Sequence, residues 1–402
     1  MSLSTPSEDF SPEQEEDGTR EESGETPDSS AERCEPTADV SEADDSPSCQ
    51  WDLLPDVCLQ HVLLWLGNLD RARASLVCRR WHRAARSPAL WRSRRFCFTG
   101  RASKSQRPEQ EQAVSYVRSL GAFLEELEVR VVLPYRRKVT VARKLQLALR
   151  TLFLELCSTG ARLRSLSVRN LELQKDTWTR GTCSGVAHWL TYFLGHMSSY
   201  LLHLSLWGCR MSLPHGLKVM EAVARAQQHL ACAARHSSGI LSLDLEGFFA
   251  SSVPVYSHQP FSGLIGHFHW LESLSLSYSC VSDELLEALG SSTRPGRQAK
   301  GHGCSGAGGN LKRLRMKCHH EEPHSQVVCG LAWSSLVRHC PELSVELDVE
   351  GITNTDRLRR ILLPEIPLCA FTMSECNFSE QEVSARPLFR DILPHYWNQL
   401  QV

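Results

Sequence analysis

One spacing of apolar residues recurs along most of this chain and limits how it can fold. An apolar residue is followed by another three positions on, then two, then three, as in Leu163, Leu166, Val168 and Leu171. Alternate side chains of a β-strand point to the same side, so each copy predicts a short strand and a turn with one more inward residue. The copies begin at Leu124, Leu163, Leu201, Ile240, Leu271, Leu311, Leu343 and Leu368.

The first and last copies predict which residues of their strands point inward. The first is predicted to bury Leu127, Val129 and Val132, and the last to bury Phe371, Met373 and Cys376. Trp397, Leu400 and Val402 have the spacing that opens a further unit. The chain is therefore expected to fray near Val402, or to lack further repeats.

Stretches with helical spacing lie between the copies. Val141, Leu145, Ala148 and Leu152 form one such stripe, and Leu285, Leu286 and Leu289 follow a helix start at Ser282. One strand and one helix per unit, at irregular intervals, resemble a degenerate leucine-rich repeat. The predicted fold class is therefore an irregular α/β solenoid over residues 101–402, and the alternative is an ordinary leucine-rich α/β domain.

Residues 50–100 have a purely helical pattern. Leu54-Pro55-Asp56 suits a helix start, because proline has no N–H to leave unpaired and Asp56 lies at the positive end of the helix dipole. A second helix is predicted from a cap at Asp70, and Ser87-Pro88 begins a third, short one. The predicted apolar stripes are Leu59, Val62, Leu63 and Leu66, then Ala74, Val77, Cys78, Trp81, Ala84 and Ala85, then Leu90 and Trp91.

This helical module has more apolar residues than three short helices can bury. The surplus residues are Val57, Cys58, Leu64, Trp65, Leu69, Ala72 and Leu76. Forty residues make a small core, so the surplus predicts a face that a partner covers.

The ordered set from Leu54-Pro55 to Leu90-Trp91 resembles the F-box. That resemblance implies docking on a Skp-family adaptor, which joins F-box proteins to a cullin scaffold. An F-box followed by irregular repeats also resembles the F-box/leucine-rich-repeat family, in which the repeats capture a target. The positions carried over as adaptor-docking or module-core residues are Leu54, Pro55, Leu59, Val62, Leu66, Leu69, Val77, Trp81, Leu90 and Trp91.

Charge divides the chain into segments. Residues 1–49 contain 16 acidic and two basic residues and no periodic apolar pattern, so they are predicted to be a disordered tail. The remainder has a mild positive balance without clustered lysines and aromatic platforms, which gives no reason to expect nucleic acid as a partner. Residues 291–310 are rich in glycine and polar residues and predict a flexible loop.

Cysteine usage and hydropathy bear on the compartment. The 16 cysteines are spread along the chain, many at inward positions such as Cys78, Cys209 and Cys376, as reduced thiols are. The N-terminus has no apolar stretch of the signal-peptide kind. Residues 181–209 have no charged side chain, but their glycines, histidines and mixed periodicity favour a buried repeat over a membrane span. A cytoplasmic or nuclear location without membrane partners is expected.

Two motifs match patterns of catalytic or cofactor-binding sites, but neither has the local structure that such a site needs. His320 to His324 matches the H-E-x-x-H pattern of zinc peptidases, which requires a helix, and Pro323 disfavours one. Gly301 to Gly306 matches G-x-G-x-x-G but lacks a strand before it and a helix after it. No catalytic residue, metal ligand or cofactor is predicted; incidental metal binding by Cys318, His319, His320 and His324 is a minor alternative.

The sequence thus predicts a non-catalytic receptor subunit of a Skp–cullin–F-box ubiquitin ligase. Its partners would be the adaptor, the cullin and an unidentified target protein bound by the repeats. One alternative is a scaffold or competitor that binds the adaptor without presenting a substrate. A metal-dependent hydrolase is a third, resting on the histidine motif alone. The residues that contact a target cannot be assigned from the sequence.

Overall fold

The computed structural model describes residues 54–100, 109–134, 139–232, 238–291, 309–352 and 354–374. The chain divides into two units, Met1–Leu53 and Leu54–Val402, and all the described residues belong to the second. Several predictions lie outside the described residues: those for the acidic tail, nearly all of the Gly-rich insertion, Cys376 and the terminal spacing at 397–402.

The described residues contain nine parallel strands, which form one sheet in strict sequence order. Each strand pairs with its neighbours along the chain, as expected when every unit contributes one strand and stacks on the previous unit. The strands are β1 Ser93–Phe98, β2 Glu126–Val131, β3 Ser165–Arg169, β4 His203–Ser205, β5 Ser242–Leu245, β6 Ser273–Ser277, β7 Arg313–His319, β8 Ser344–Glu350 and β9 Leu368–Ser374.

Helices precede the sheet and connect its strands. The α-helices are α1 Asp56–Trp65, α2 Asn68–Ala74, α3 Arg79–Ala85, α4 Glu109–Leu120, α5 Val139–Ser158, α6 Arg180–Met197, α7 Leu213–Cys232, α8 Gln259–Ile265, α9 Asp283–Ser291, α10 Gly330–His339 and α11 Thr355–Ile361. Short 3₁₀ helices occur at Pro88–Trp91, Gly121–Phe123, Val255–Ser257 and Tyr278–Cys280. The α/β solenoid predicted from the sequence is confirmed.

In-register apolar ladders build the core of the solenoid. One ladder pairs residues of seven consecutive strands, and all of them are buried. Its members are Leu127, Leu166, Leu204, Leu243, Leu274, Leu314 and Val345. The helices cover this face of the sheet: Phe153 of α5 stacks on Phe193 of α6 with ring centroids 4.5 Å apart. Each unit therefore buries the apolar side chains of the next.

A buried glutamine joins two neighbouring units. Gln227 of α7 donates from Nε2 to the Ser198 carbonyl at 2.9 Å and accepts at Oε1 from the Ile240 N–H at 2.9 Å. Both groups of the amide are thus satisfied inside the core, as a buried polar side chain requires.

The predicted inward residues of three strands need correction. Val132 is 44% exposed, and Val131 is the inward residue at that point because β2 continues its alternation without a break. In the unit that begins at Leu343, Val345 is also buried, so alternation in β8 is regular. In β9, Phe371 and Met373 are only partly buried, and the pairing with β8 shifts register between Val345 and Glu346.

The sheet begins earlier than the repeat spacing indicated. Strand β1 lies within the range assigned to the helical module, and it pairs with β2 from Ser93↔Glu126 to Phe98↔Val131. Phe96 and Phe98 are its buried residues. The apolar template does not extend to this strand, because Arg94 occupies the position that pairs with Leu127.

The charge-free segment at 181–209 forms most of α6 followed by β4, as predicted. Among the described helices, none combines the length and apolar character that a membrane crossing needs.

Candidate functional site

The helical module has a small core of its own. Leu59 and Leu63 of α1 are completely buried, with Ala84, Ala85 and Leu90 around them. Leu66, Trp81 and Trp91 are partly buried against this cluster. The module is thus held by few side chains, and each of them contributes a large share of its packing.

The second predicted helix is in fact two. Helix α2 ends at Ala74, and α3 begins at Arg79 after an extended Cys78 whose thiol accepts from the Trp81 N–H at 3.5 Å. Asp70 is not the cap: Gly67 occupies that position, and Asp70 pairs with Arg73 at 3.2 Å. The break removes Val77 from the buried stripe and exposes 67% of its side chain.

Arg71 ties the module together, and its role was not foreseen. Its guanidinium donates to the carbonyls of Leu63 at 2.7 Å, Leu64 at 2.9 Å and Leu90 at 2.7 Å, and it lies over the Trp91 ring. Two of these carbonyls are at the end of α1, where helical hydrogen bonds run out. The chain is rich in arginine, so nothing in the sequence distinguished this one.

A second arginine closes the other end of α1. Arg80 of α3 donates from Nε to Asp56 Oδ1 at 3.0 Å and also hydrogen-bonds the Leu54 carbonyl. Asp56 therefore has two roles, because it lies at the positive end of the α1 dipole and pairs with α3.

Five large apolar side chains of the module remain outside the core. We call them the apolar face. Trp65 is 91% exposed and Leu76 83%. The other members are Val57, Leu64 and Val77. Cys58 and Ala72 are exposed as well. Such a concentration of exposed apolar area in one small module is typical of an interaction surface.

The structure separates the ten predicted positions into groups. Leu59 and Leu90 are core residues, whereas Pro55 and Val77 are exposed. The partly buried positions are Leu54, Val62, Leu66, Trp81 and Trp91. The side chain of Leu69 lies outside the described residues. Trp65 and Leu76, the most exposed apolar residues, were in the surplus set and were missing from the ten.

The module is joined directly to the repeat sheet. The Tyr116 hydroxyl of α4 donates to the Trp91 carbonyl at 3.2 Å, and the N–H groups of Glu125 and Glu126 donate to the Arg92 carbonyl. Arg94 lies over the Tyr116 ring at 4.7 Å. Burial raises the pKa of the Tyr116 hydroxyl, although nearby Arg94 and Arg71 oppose this. The apolar face is consequently held at a fixed position relative to the first strands.

The side of the sheet away from the helices is polar. Its central strands carry serines, among them Ser167, Ser205 and Ser275, and Ser205 donates to Asp244 at 2.8 Å. Strand β7 brings Arg313, Arg315 and Lys317 to this side, and β8 brings Glu346, Asp348 and Glu350. This face therefore offers hydrogen-bonding and charged groups rather than apolar ones.

The histidine motif does not have the geometry of a zinc peptidase. Residues 319–322 form a turn, in which the Glu322 N–H donates to the His319 carbonyl at 3.0 Å. His320 is exposed, whereas His324 is buried, so the two rings do not share a helical face. Among the described residues, no group of three or more His, Cys, Asp or Glu side chains is arranged to hold a metal ion. The G-x-G-x-x-G motif lies outside the described residues.

A protein-family model for the F-box domain matches residues 51–93, which contain the module core and the apolar face. The chain contains an F-box domain followed by a leucine-rich-repeat-like solenoid. It is similar to F-box/LRR-repeat protein 21 from Mus musculus, with 24% identity over 303 residues. The same protein from Ovis aries is 24% identical over 304 residues, and that from Bos taurus 24% over 303. These alignments cover 73% of this F-box protein and only 58% of each relative.

Proposed function

We propose that this F-box protein is the substrate-recognition subunit of a Skp–cullin–F-box ubiquitin ligase. An F-box domain supports binding to a Skp-family adaptor in general. The single observation that carries the proposal is the apolar face, where Trp65 and Leu76 are exposed on a module too small to bury them. An adaptor that covers this face would remove that apolar area from water, which is the main driving force of association.

The repeats would hold the target. The polar side of the sheet presents side chains from nine strands in fixed register, and the F-box is joined to the first of them. Ligation then needs no catalytic residue in this chain. A tethered target has a high effective concentration near the ubiquitin-charged enzyme, and that proximity raises the rate.

Co-purification with the adaptor tests the docking step. The full chain is co-expressed with a Skp-family adaptor and purified through a tag on the chain. The double variant Trp65→Ala, Leu76→Ala should lose the adaptor, because truncation of central apolar anchors is the most costly change at an interface. A matched control is Leu147→Ala, which removes an exposed leucine from α5 instead. Retention of the adaptor by the double variant would contradict the assignment.

Reconstituted ubiquitination distinguishes a receptor from a scaffold or competitor. Proteins captured from cells by the intact chain, and not by the double variant, are offered as substrates to the complex of chain, adaptor and cullin. Transfer of ubiquitin to one of them, dependent on Trp65 and Leu76, is the expected result. Assembly with the adaptor but without transfer to any captured protein would favour the competitor.

The proposed location is the cytoplasm, the nucleus or both. The twelve described cysteines are free thiols, and Cys209, Cys280, Cys318 and Cys340 are buried. Burial raises the pKa of each of these four thiols, so they stay protonated and unreactive. Imaging of the tagged full chain tests the location; a secreted or luminal pool would contradict it.

A further inference from the structure

A small cavity of about 170 Å³ lies where the carboxyl ends of β3 to β8 meet. Asn170 and Glu246 come directly after β3 and β5, and Trp207 is the second residue after β4. Ser277 and Glu350 end β6 and β8. All the strands are parallel, so these ends necessarily gather at one edge of the sheet.

The backbone around this cavity is fixed by hydrogen bonds between successive turns. The Asn170 N–H donates to the Trp207 carbonyl at 3.0 Å, and the Gly208 N–H donates to the Glu246 carbonyl at 2.9 Å. Gly208 and Gly247 have φ of +66° and +60°, a conformation that glycine adopts without strain. The cavity is thus preformed, and binding there would cost little ordering.

Carboxylates dominate the lining. The cavity contains four glutamates, Glu172, Glu246, Glu322 and Glu350, and two permanent cations, Arg210 and Lys317. The formal charges of these six side chains add up to −2.

Existing ion pairs account for part of this charge. Lys317 Nζ lies 2.7 Å from Glu350 Oε2 and 3.8 Å from Glu246 Oε1. Glu172 pairs with Lys175 at 2.7 Å. Arg210 also lines an adjoining cavity of about 510 Å³, together with Lys175 and Arg180. Basic groups therefore gather on the side of that second cavity.

Two lining residues have a buried polar atom without a hydrogen-bond partner in the described residues, Glu322 at Oε2 and Arg210 at Nη1. Glu322 is only 4% exposed, and its backbone carbonyl accepts from the Arg357 guanidinium at 2.8 Å. Glu322 Oε2 lies 3.9 Å from His324 Nε2, and neither ring nitrogen of His324 has a hydrogen-bond partner in the described residues. A buried carboxylate oxygen without a partner is costly, and a cation bound beside Glu322 would lower that cost.

Trp207 is also among the lining residues and is partly buried. A cation held against a tryptophan ring gains electrostatic attraction, and a guanidinium group can also stack and form two hydrogen bonds with a carboxylate. We propose that this cavity receives an arginine side chain from the target protein. The inference deepens the proposed function and rests on it, because it names the kind of segment that the repeats would recognise.

Peptide selection on the full chain bound to its adaptor tests the inference. A library of random dodecapeptides is selected on the complex, and the strongest binder is synthesised with each arginine replaced in turn by citrulline, which has the same shape without the charge. One arginine should dominate, and its replacement should weaken binding at least tenfold. A selection without arginine-dependent binders, or equal binding of the arginine and citrulline peptides, would overturn the proposal.

Variants locate the binding to this cavity. Glu322→Gln and Glu350→Gln should each reduce the affinity of the arginine peptide toward that of the citrulline peptide. Glu221→Gln, which removes an exposed carboxylate from α7, should leave it unchanged. Glu246→Lys should reverse the preference in a repeated selection, toward acidic peptides. Arginine-dependent binding that survives all three cavity variants would place the site elsewhere.

The two proposals fail in different ways. Adaptor binding depends on Trp65 and Leu76, so a chain that assembles with adaptor and cullin but shows no arginine preference contradicts only the cavity assignment. A chain that fails to bind the adaptor contradicts the ligase role, whatever peptides it selects.

Discussion

Leucine side chains of the repeat sheet are buried by the next repeat, whereas the helical module leaves Trp65, Leu76 and Val77 in water. Both regions are rich in apolar residues, and both are built from short elements. In the sheet, every strand has a neighbour in register, so stacking supplies the missing core. The module has no second copy to stack on. The comparison shows that apolar surplus in a short helical segment identifies a docking surface, while the same surplus in a repeat identifies an internal ladder.

The largest expected effect lies within the sheet. Leu204→Ala should lower the free energy of unfolding by about 2–5 kcal/mol, because the residue is almost fully buried between two paired strands and leaves a cavity. Urea unfolding of the full chain measures it. Leu147→Ala is the control, since that leucine is half exposed. Similar losses for the two variants would show that the ladder is not the main source of stability.

A substitution in the apolar face should weaken adaptor binding and leave the stability of the fold nearly unchanged. Trp65→Ala should change the free energy of unfolding by no more than about 0.5 kcal/mol, as exposed substitutions do. It should weaken adaptor binding by about 2–4 kcal/mol, the range of an interface hot spot. Calorimetric titration with the adaptor, next to urea unfolding, measures both. A variant that unfolds easily would mean that Trp65 is a core residue, and the contrast with the sheet would disappear.

Substitution of Arg71 tests whether its hydrogen bonds stabilise a module that has few core residues. Arg71→Ala should destabilise the chain by about 2–3 kcal/mol, because three carbonyl groups lose their hydrogen-bond donor. Arg71→Lys should recover only part of this, since one ammonium group cannot reproduce the planar arrangement of donors. Arg73→Ala provides a matched loss of an arginine from α2 that is exposed and pairs only with Asp70. Equal effects at both positions would argue against the bridging role.

A smaller effect is expected at Glu350 and should depend on pH. The hydrogen bond from Lys317 holds the pKa of Glu350 below its usual value, although burial acts in the opposite direction. A lowered pKa in the folded state stabilises the fold above the carboxyl's ordinary pKa, and the gain is lost as the pH falls through the folded value. Glu350→Gln should therefore cost less than about 1 kcal/mol at neutral pH, because both partners are partly exposed.

The difference between wild type and Glu350→Gln should disappear in acid. Urea unfolding at a series of pH values measures it. A difference that persists at low pH would indicate that the glutamine packs poorly, and that the ion pair is not the cause.

Much of the fold was predictable because its signals are local. Within the described residues, the repeat spacing identified β2 to β8, although it misplaced the last inward residue of β2 and missed Val345 in β8. It gave β9 in part. Alternation was predictable because it follows directly from strand geometry. The spacing missed β1, where Phe96 and Phe98 are the buried residues and Arg94 and Arg95 precede them. The stripe at α1 was correct, whereas α2 and α3 were joined into one helix. Only the extended conformation at Cys78 reveals that break.

The candidate sites depended more on tertiary structure. The sequence named the apolar surplus and the F-box positions, but it could not tell core from surface among them. That distinction depends on how the helices pack. Trp65 and Leu76 are exposed and available to an adaptor, whereas Leu59 and Leu90 are buried in the module core. The cavity at the strand ends was invisible in the sequence, because Glu172, Glu246, Glu322 and Glu350 are spread over 179 residues.

The sequence by itself determined a helical module within residues 50–100, the α/β solenoid and most of its inward ladder residues, since all three follow from the order and spacing of nearby residues. The tertiary structure decided which apolar side chains remain exposed, how Arg71 and Arg80 close the module, and which carboxylates meet at the edge of the sheet. The physical reason is the separation along the chain over which each effect acts. Helix and strand periodicity act over a few residues, whereas burial and charge clustering depend on parallel strands that bring distant residues to one edge.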